Sequence, residues 1–349
     1  MQSRKAKLEQ IADLMLRSDN AAIFPHTGAD GDCLGAGNAL KAALETSGRR
    51  TFVITDMPLV QRYLFLPLSE EAVIYDGSGP GCFMKELFGS KDPDLAVLVD
   101  CSVPERTGKC SVLIEQCKHT AVIDHHFSET CKFIPCIIDK DASSAGELVY
   151  DLIQVLEEKT GLQLFNKDIA ENILTAIYFD TGGLRYSNTN VKAFEIVRDM
   201  FDRFSPDLRA VVYNLFERTP RSKICIQAKA FSGVRSIADG RVAVSVITAD
   251  MIRECGADDD DMDGICTSLK NIEGVEAAFV LREKDGGEIR ANIRSSGVLD
   301  ASVFAREMGG GGHVRAAGFS VYDKKIEDVF AIIVSKCAEK FNGSSAGGV

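Results

Sequence analysis

No stretch of this 349-residue sequence stays apolar for the roughly 18 to 20 residues that a membrane-spanning helix requires. Residues 1–16 carry charges among apolar positions at helical spacing (Leu8, Ile11, Ala12, Met15), which predicts an amphipathic surface helix and not a secretory leader. No C-x-x-C pair occurs among the eleven cysteines, an odd and scattered set, so neither a paired-cysteine zinc site nor a disulfide framework fits. Reduced thiols in a cytoplasmic chain, most of them small core residues, are expected instead. No basic stripe occurs either, and the net charge is −11. Proteins that track long nucleic acid draw most of their affinity from cationic contacts to phosphate. If the chain handles nucleic acid at all, it is therefore expected to handle short pieces, with metal ions neutralising the phosphates, and neither long nucleic acid nor membrane is an expected partner.

What is present, 45% hydrophobic and 26% charged residues with no long run of one type, is the composition of a globular chain. Residues 21–24, 51–55, 95–100 and 121–124 read as short buried strands, with helical patterns at 34–46 and 111–117. That alternation predicts an α/β fold built on a doubly wound parallel sheet. Helical periodicity continues over 145–158, 167–178 and 191–201. After Pro206 a connecting helix over 208–230, interrupted near Pro220, leads to strands at 242–247, 275–282 and 288–295. A Gly286-Gly287 turn joins the last two, and a helix over 323–341 closes the pattern. The expected division is a catalytic domain over 1–205, a linker helix region over 206–235, a smaller α/β domain over 236–342 and a disordered tail over 343–349.

Only five histidines occur, and four of them (His26, His125, His126 and His313) stand in clusters with glycines or aspartates. The first cluster, His26-Thr-Gly-Ala-Asp30-Gly-Asp32, directly follows a strand; Gly28 and Gly31 are read as letting the chain turn tightly so that one imidazole and two carboxylates share a space. The second is Asp100, at the end of an apolar run. The third is Asp124-His125-His126, again at a strand end, and the fourth is Asp180-Thr-Gly-Gly. Polar residues at the carboxyl ends of parallel strands line the ligand-binding edge of such sheets, and all four clusters are read as meeting there. Two histidines with four aspartates suit a pair of divalent ions, manganese first, with cobalt or magnesium as substitutes. Two such ions about 3.5 to 4 Å apart, bridged by a carboxylate, hold a hydroxide and stabilise both ends of an in-line displacement at phosphorus. A fifth cluster, Gly309-Gly-Gly-Gly-His313-Val-Arg315, offers backbone amides to an anion, and Arg290-Ala-Asn-Ile-Arg294-Ser295 supplies cations and hydroxyls where a phosphate can dock. His119 reads as a surface residue. Asp258-Asp-Asp-Asp-Met-Asp263-Gly264 resembles the start of a calcium loop, but Lys270 stands where a bidentate glutamate is needed, so the aspartates read as complementing a following helix.

In order and spacing these motifs resemble the DHH–DHHA1 phosphoesterases over nearly the whole chain. The family takes its name from the triplet seen here as Asp124-His125-His126. The likeness extends to His26-x-x-x-Asp30-Gly-Asp32, Asp100 followed by Arg106-x-Gly108, Asp180-Thr-Gly and the terminal glycine–histidine motif. Size and that last motif look like the NrnA-type branch, which comprises nanoRNases and pAp phosphatases. The resemblance implies a smaller DHHA1 domain, with the active site in a cleft between the domains. It implies one ion on His26, Asp30 and Asp100 and another on Asp32, Asp100, His125 and Asp180, so that Asp100 bridges. It further implies that His126 acts on the scissile phosphate and that Asp124 orients the histidines. Arg106, Arg294, Ser295, Gly310, Gly311, Gly312 and His313 would hold the nucleotide. Ala29 and Val314 stand where the family often has proline, and Ala36-Gly37 replaces a small-plus-serine pair; none of these is a ligand position. Two rival readings are a pyrophosphatase or polyphosphatase using the same ions, which the glycine–histidine motif disfavours, and a nucleotide-binding sensor without catalysis.

Overall fold

The computed structural model describes residues 3–89, 93–126 and 131–342. It divides into two compact units, Met1–Arg218 and Thr219–Val349. The tail expected over 343–349 lies outside the described residues.

In the first unit, β1 (Asn20–Phe24), β2 (Arg50–Thr55), β3 (Val73–Ile74), β4 (Leu95–Val99), β5 (His119–Asp124) and β6 (Cys136–Ile138) form a parallel sheet in the order β3-β2-β1-β4-β5-β6. β1 and β4 are buried throughout because alternate residues serve two cores. Ala21, Ile23, Leu95, Val97 and Val99 point to one, and Ala22, Phe24, Ala96 and Leu98 to the other. Burial on both faces is why these strands are continuous apolar runs. The first core is covered by α1 (Arg4–Arg17), α2 (Gly31–Thr46), α5 (Ala145–Thr160), α6 (Lys167–Asp180) and α7 (Val191–Phe204); the second by α3 (Pro80–Phe88) and α4 (Ser111–Ile114). Strand order reverses between β1 and β4, which makes their carboxyl ends the natural ligand crevice of the sheet.

Several boundaries differ from the sequence reading. α2 begins at Gly31, not near Leu34, because Asp30 caps it by accepting from the amides of Asp32 and Cys33. Asp32 and Cys33 are thus in the first helical turn instead of a loop. The helix at Ser111 stops at Ile114, and β3 and β6, two and three residues long, carry too few positions to show a period. The connecting helix is three pieces: α8 (Leu208–Val212), a wide π-type turn over Tyr213–Glu217, and α9 (Arg221–Ser232) beyond Pro220. α6 lies very close to its neighbours. A β-carbon on Gly35 of α2 would stand 2.4 Å from the Asn172 carbonyl oxygen, and Gly31 leaves room for the Phe179 ring. Gly31 therefore serves helix packing and not the turn expected of it.

In the second unit, β7 (Arg235–Ile237), β8 (Val242–Ile247), β9 (Ala277–Glu283), β10 (Ile289–Ser295), β11 (Gly311–His313) and β12 (Ala316–Val321) form a sheet ordered β11-β12-β10-β9-β8-β7, with only β8 and β9 parallel. α12 (Ala301–Glu307) and α13 (Ile326–Asn342) pack on one face, and α9, α10 (Ala249–Cys255) and α11 (Ile265–Lys270) on the other. Packing of α9 on α10 joins Cys225 to Cys255 in a disulfide, which corrects the expectation of thiols throughout. Among the described residues the other nine cysteines are free. The aspartates before α11 do not cap it. Asp258 and Asp261 accept from each other's amides, and Asp259 pairs with Arg282 and Lys284 at 3.1 and 2.7 Å. Among the described residues no helix is long and apolar enough to cross a membrane.

Candidate metal centre

β1 ends at Phe24, and the turn that follows carries His26 over the sheet edge. The Thr27 carbonyl lies 2.9 Å from His26 Nδ1. A carbonyl can only accept, so Nδ1 holds the proton and Nε2 is the free ligand atom. Nε2 faces Asp30 Oδ2 at 3.4 Å and Asp100 Oδ2 at 3.5 Å. Asp30 divides its carboxylate, since Oδ1 caps α2 and leaves Oδ2 for His26. The Thr27 amide donates to the Arg106 carbonyl at 2.7 Å, so Arg106 braces this turn through its backbone while its side chain stands exposed.

Asp100 follows β4 with φ of 60°, a left-handed conformation uncommon for a residue other than glycine. Its side chain is only 3% exposed and presents Oδ2 to His26 and Oδ1 to His125 Nε2, 3.4 Å away. His125 Nε2 also lies 3.4 Å from Asp32 Oδ2 and 3.6 Å from Asp180 Oδ2. The donors fall into three overlapping groups, His26–Asp30–Cys33–Asp100, Asp100–His125–His126 and Asp32–His125–Asp180, with Asp100 and His125 each shared by two. His126, with a side chain 46% exposed, turns Nδ1 towards Asp124 Oδ1 at 3.0 Å and Asp100 Oδ1 at 3.2 Å. Asp124 Oδ1 also accepts the His126 amide at 3.0 Å.

Supports that spacing in the sequence did not reveal hold this set. Asp32, fully buried, accepts from the Ala145 and Gly146 amides at 2.7 and 3.0 Å, at the start of α5. A helix N-terminus favours a carboxylate there through its unpaired amides. That start is locked by Glu147, which accepts from Ser143 and Asn190 and pairs with Arg4. Asp180 is the last residue of α6, which extends the helical pattern read over 167–178 by two residues. Asn188 donates to its Oδ2 at 3.1 Å and fixes its direction. Cys33, read from the sequence as a small core residue, lies among the donors of the first group.

Crowded carboxylates and imidazoles perturb one another. Burial and the charges of Asp100, Asp180 and Asp30 push Asp32 well up. Burial opposes ionisation of Asp100, but the adjacent His125, His126 and His26 imidazoles hold it below the carboxylate range. Hydrogen bonds to Asp100 and Asp124 push His126 up to about 10. A cluster that retains protons to balance buried anions is one that divalent cations can enter by displacing them. Asp100 Oδ1 and His125 Nε2 are buried with no aligned hydrogen-bond partner, so the donor set fits cations.

In the second unit, Arg290, Asn292 and Arg294 alternate along β10 onto the face that α12 and α13 leave uncovered. With 309–312 and part of β12 they line a cavity of about 630 Å³. Ser295 falls on the opposite, buried face, its hydroxyl accepting from the Gly297 amide, so it is not presented beside Arg294. His313 is exposed at the end of β11 and is not among the residues lining the cavity. The glycine run has a packing cause: a β-carbon on Gly310 would stand 2.2 Å from the Gly318 carbonyl oxygen, and one on Gly312 2.5 Å from Ala317 Cα. The amides of Gly309 and Gly310 donate to Arg306 and Ala305, and Gly311 and Gly312 lie in β11, paired with β12.

A doubly wound sheet with a carboxylate–imidazole cluster at its switch point, joined to a smaller mixed-sheet unit, defines a metal-dependent phosphoesterase. Residues 20–177 match the DHH family, N-terminal domain, and residues 239–339 match the DHHA1 domain. The chain belongs to the DHH–DHHA1 phosphoesterases. It is 27% identical over 318 residues to the bifunctional oligoribonuclease and PAP phosphatase NrnA of Thermus thermophilus, covering 91% of this chain and 89% of that protein. The Bacillus subtilis protein of the same name is 28% identical over 218 residues, 62% of this chain and 67% of that protein. The crystal structure of an exopolyphosphatase-related protein from Bacteroides fragilis superposes with a TM-score of 0.82 at 23% identity, covering 97% of this chain and 98% of that one.

Proposed function

We propose that the chain hydrolyses short oligoribonucleotides, pAp or pApA to mononucleotides with two divalent ions, manganese in the cell and cobalt or magnesium as substitutes. The observation that carries this is Asp100, a buried carboxylate whose Oδ2 faces His26 and whose Oδ1 faces His125. His26, Asp30 and Asp100 would hold one ion, and Asp32, Asp100, His125 and Asp180 would hold the other. When bound, such ions supply Lewis acidity at phosphorus and a nucleophile from water at neutral pH. The protein's part is geometry. Asp32 is fixed by two amides, Asp180 by Asn188, and the His26 tautomer by Thr27, so the ligands are set before substrate arrives. His126, held by Asp124, donates to a phosphate oxygen and stabilises charge that grows on it. Arg294, His313 and the backbone of Gly310, Gly311 and Gly312 hold a distal phosphate or base, with Arg106 as a further cation. Two relatives named for oligoribonuclease and pAp phosphatase activity support this substrate class, and nucleotide substrates of that kind go with a cytosolic enzyme.

The test is a panel with manganese present: pAp, pApA, a five-nucleotide RNA, a long RNA and pyrophosphate. Turnover of the small nucleotides above the long RNA and pyrophosphate is expected. Pyrophosphate as the best substrate would replace this reading with the pyrophosphatase one.

A further inference from the structure

We infer that the open face of the second sheet holds one nucleotide beyond the group gripped at Arg294, with Arg290 on its phosphate and Tyr322 against its base. These two residues would then set how much is gained from a third nucleotide. The inference rests on the nucleotide reading above and deepens it, since it names residues that act on the longer substrates only through the added nucleotide.

Arg290, Asn292 and Arg294 are alternate residues of β10 and so stand in a row on one face. Four residues of strand set the two arginines about 14 Å apart along that row. The spacing suits two successive groups of an extended ligand better than two grips on one phosphate. Beside the row, β12 places Ser320, Gly318 and Ala316 opposite Arg290, Asn292 and Arg294 in antiparallel register. These small residues keep a low floor along the arginines. Tyr322, two positions past Ser320, stands at the Arg290 end of the floor and is 61% exposed. Arg290, Arg294 and Tyr322 all line the same cavity of about 630 Å³, a volume within the range of small-molecule sites.

Charge says what the cavity takes. Among the described residues its charged lining is the two arginines, in a chain whose net charge is −11, so the cavity attracts an anion. Asp259, whose charge reaches Arg290, is already paired with Arg282 and Lys284 at 3.1 and 2.7 Å. On the other side of β10 a smaller cavity of about 240 Å³ borders the same arginines but carries Asp259, Asp260 and Asp263. Phosphate is therefore favoured on the β12 side. An exposed tyrosine beside the row adds a ring on which any base can stack. Glu288, which accepts the Ser320 hydroxyl, follows Arg290 in the alternation. Its carboxylate repels a further phosphate, so the row ends there and has room for one nucleotide past Arg294.

The experiment measures initial rates on pApA, pApApA and a five-nucleotide RNA, with manganese present, for the full-length wild type, Arg290→Ala and Tyr322→Ala. Both side chains are exposed, so neither change unpacks the sheet, and an unchanged Tm checks this. Each variant is expected to lose roughly tenfold more kcat/KM on pApApA than on pApA, chiefly through KM, and to the same extent on the five-nucleotide RNA. Tyr322→Phe keeps the ring and should match the wild type. In Arg290→Ala the slope of log kcat/KM against log salt should also become shallower by about 0.7 for pApApA, which a purely structural role would not produce. Equal losses on pApA and pApApA, or no loss on either, would overturn the inference, while wild-type turnover of pApA leaves the nucleotide reading intact. A wild type that turns over none of the three substrates would overturn both.

Discussion

Replacing Gly35 by alanine tests whether the close approach of α2 and α6 is what sets the Asp32–His125–Asp180 group of donors. The added methyl would stand 2.4 Å from the Asn172 oxygen and 3.0 Å from the Ala176 nitrogen, against the helical hydrogen bond that joins them. Normal contact begins near 3.4 Å, so α6 must retreat by about 1 Å. The clash is with backbone, which cannot swing aside, so the upper part of the overpacking range, about 2 to 3 kcal/mol, applies. Alanine in a helix interior recovers about 1 kcal/mol relative to glycine, which leaves a net loss of about 1 to 2 kcal/mol. For a unit of this size each kcal/mol lowers Tm by roughly 2 to 4 °C, so the ion-free first unit should melt about 2 to 8 °C lower. Calorimetry in chelator measures this directly and resolves the two units if they melt separately. Asp180 ends α6, while Asp32 sits one turn before Gly35 on α2. The same shift should therefore weaken ion binding at Asp32, His125 and Asp180 more than at His26 and Asp30. Unchanged or raised Tm in the ion-free variant would refute the packing argument.

Glu147, buried and held below the usual glutamate range against burial by hydrogen bonds from Ser143 and Asn190, should contribute stability above its unfolded pKa that is lost as pH falls through the folded one. Urea midpoints of ion-free protein at pH 7 and pH 3 should therefore differ less in Glu147→Gln than in wild type; equal differences would remove it as the lock on α5. His125→Ala should lower ion occupancy, whereas His126→Ala should keep both ions and lower kcat, as elemental analysis beside initial rates will show. Arg294→Ala and His313→Ala should each lower kcat/KM for pApA by about 1 to 3 kcal/mol and leave a small artificial phosphodiester unaffected; equal slowing of both substrates would mean that these residues support the fold and do not read the nucleotide.

Much of the site was legible because a doubly wound sheet writes it in a simple form. Leu95–Val99 is buried on both faces and so apolar throughout, and Asp100 is conspicuous as the first polar residue past the edge. The same holds for His26 after β1 and His125 after β5. Asp180 was recognisable too, as the polar end of an apolar run that closes a buried helix, α6, instead of a strand. Tertiary supports left no local trace. Nothing near Asp32 announces amides 113 and 114 residues away, and nothing near Cys225 announces Cys255. Cys33 looked like a core thiol because it is one by burial; only the helix start at Gly31 turns it towards His26. The glycines at 309–312 were visible, but their reason was partly hidden. Gly310 and Gly312 are needed for contact with β12, a partner that sequence alone does not assign.

The central claim is that Asp100 joins two ions into one hydrolytic centre. It is tested most directly by counting manganese per chain in wild type and in Asp100→Ala while measuring turnover of pApA on the same samples. The account predicts two ions and turnover in the wild type, with loss of both ions and nearly all turnover in a variant that still folds. Turnover near the wild-type rate in Asp100→Ala, or an active wild type holding a single ion, would contradict it.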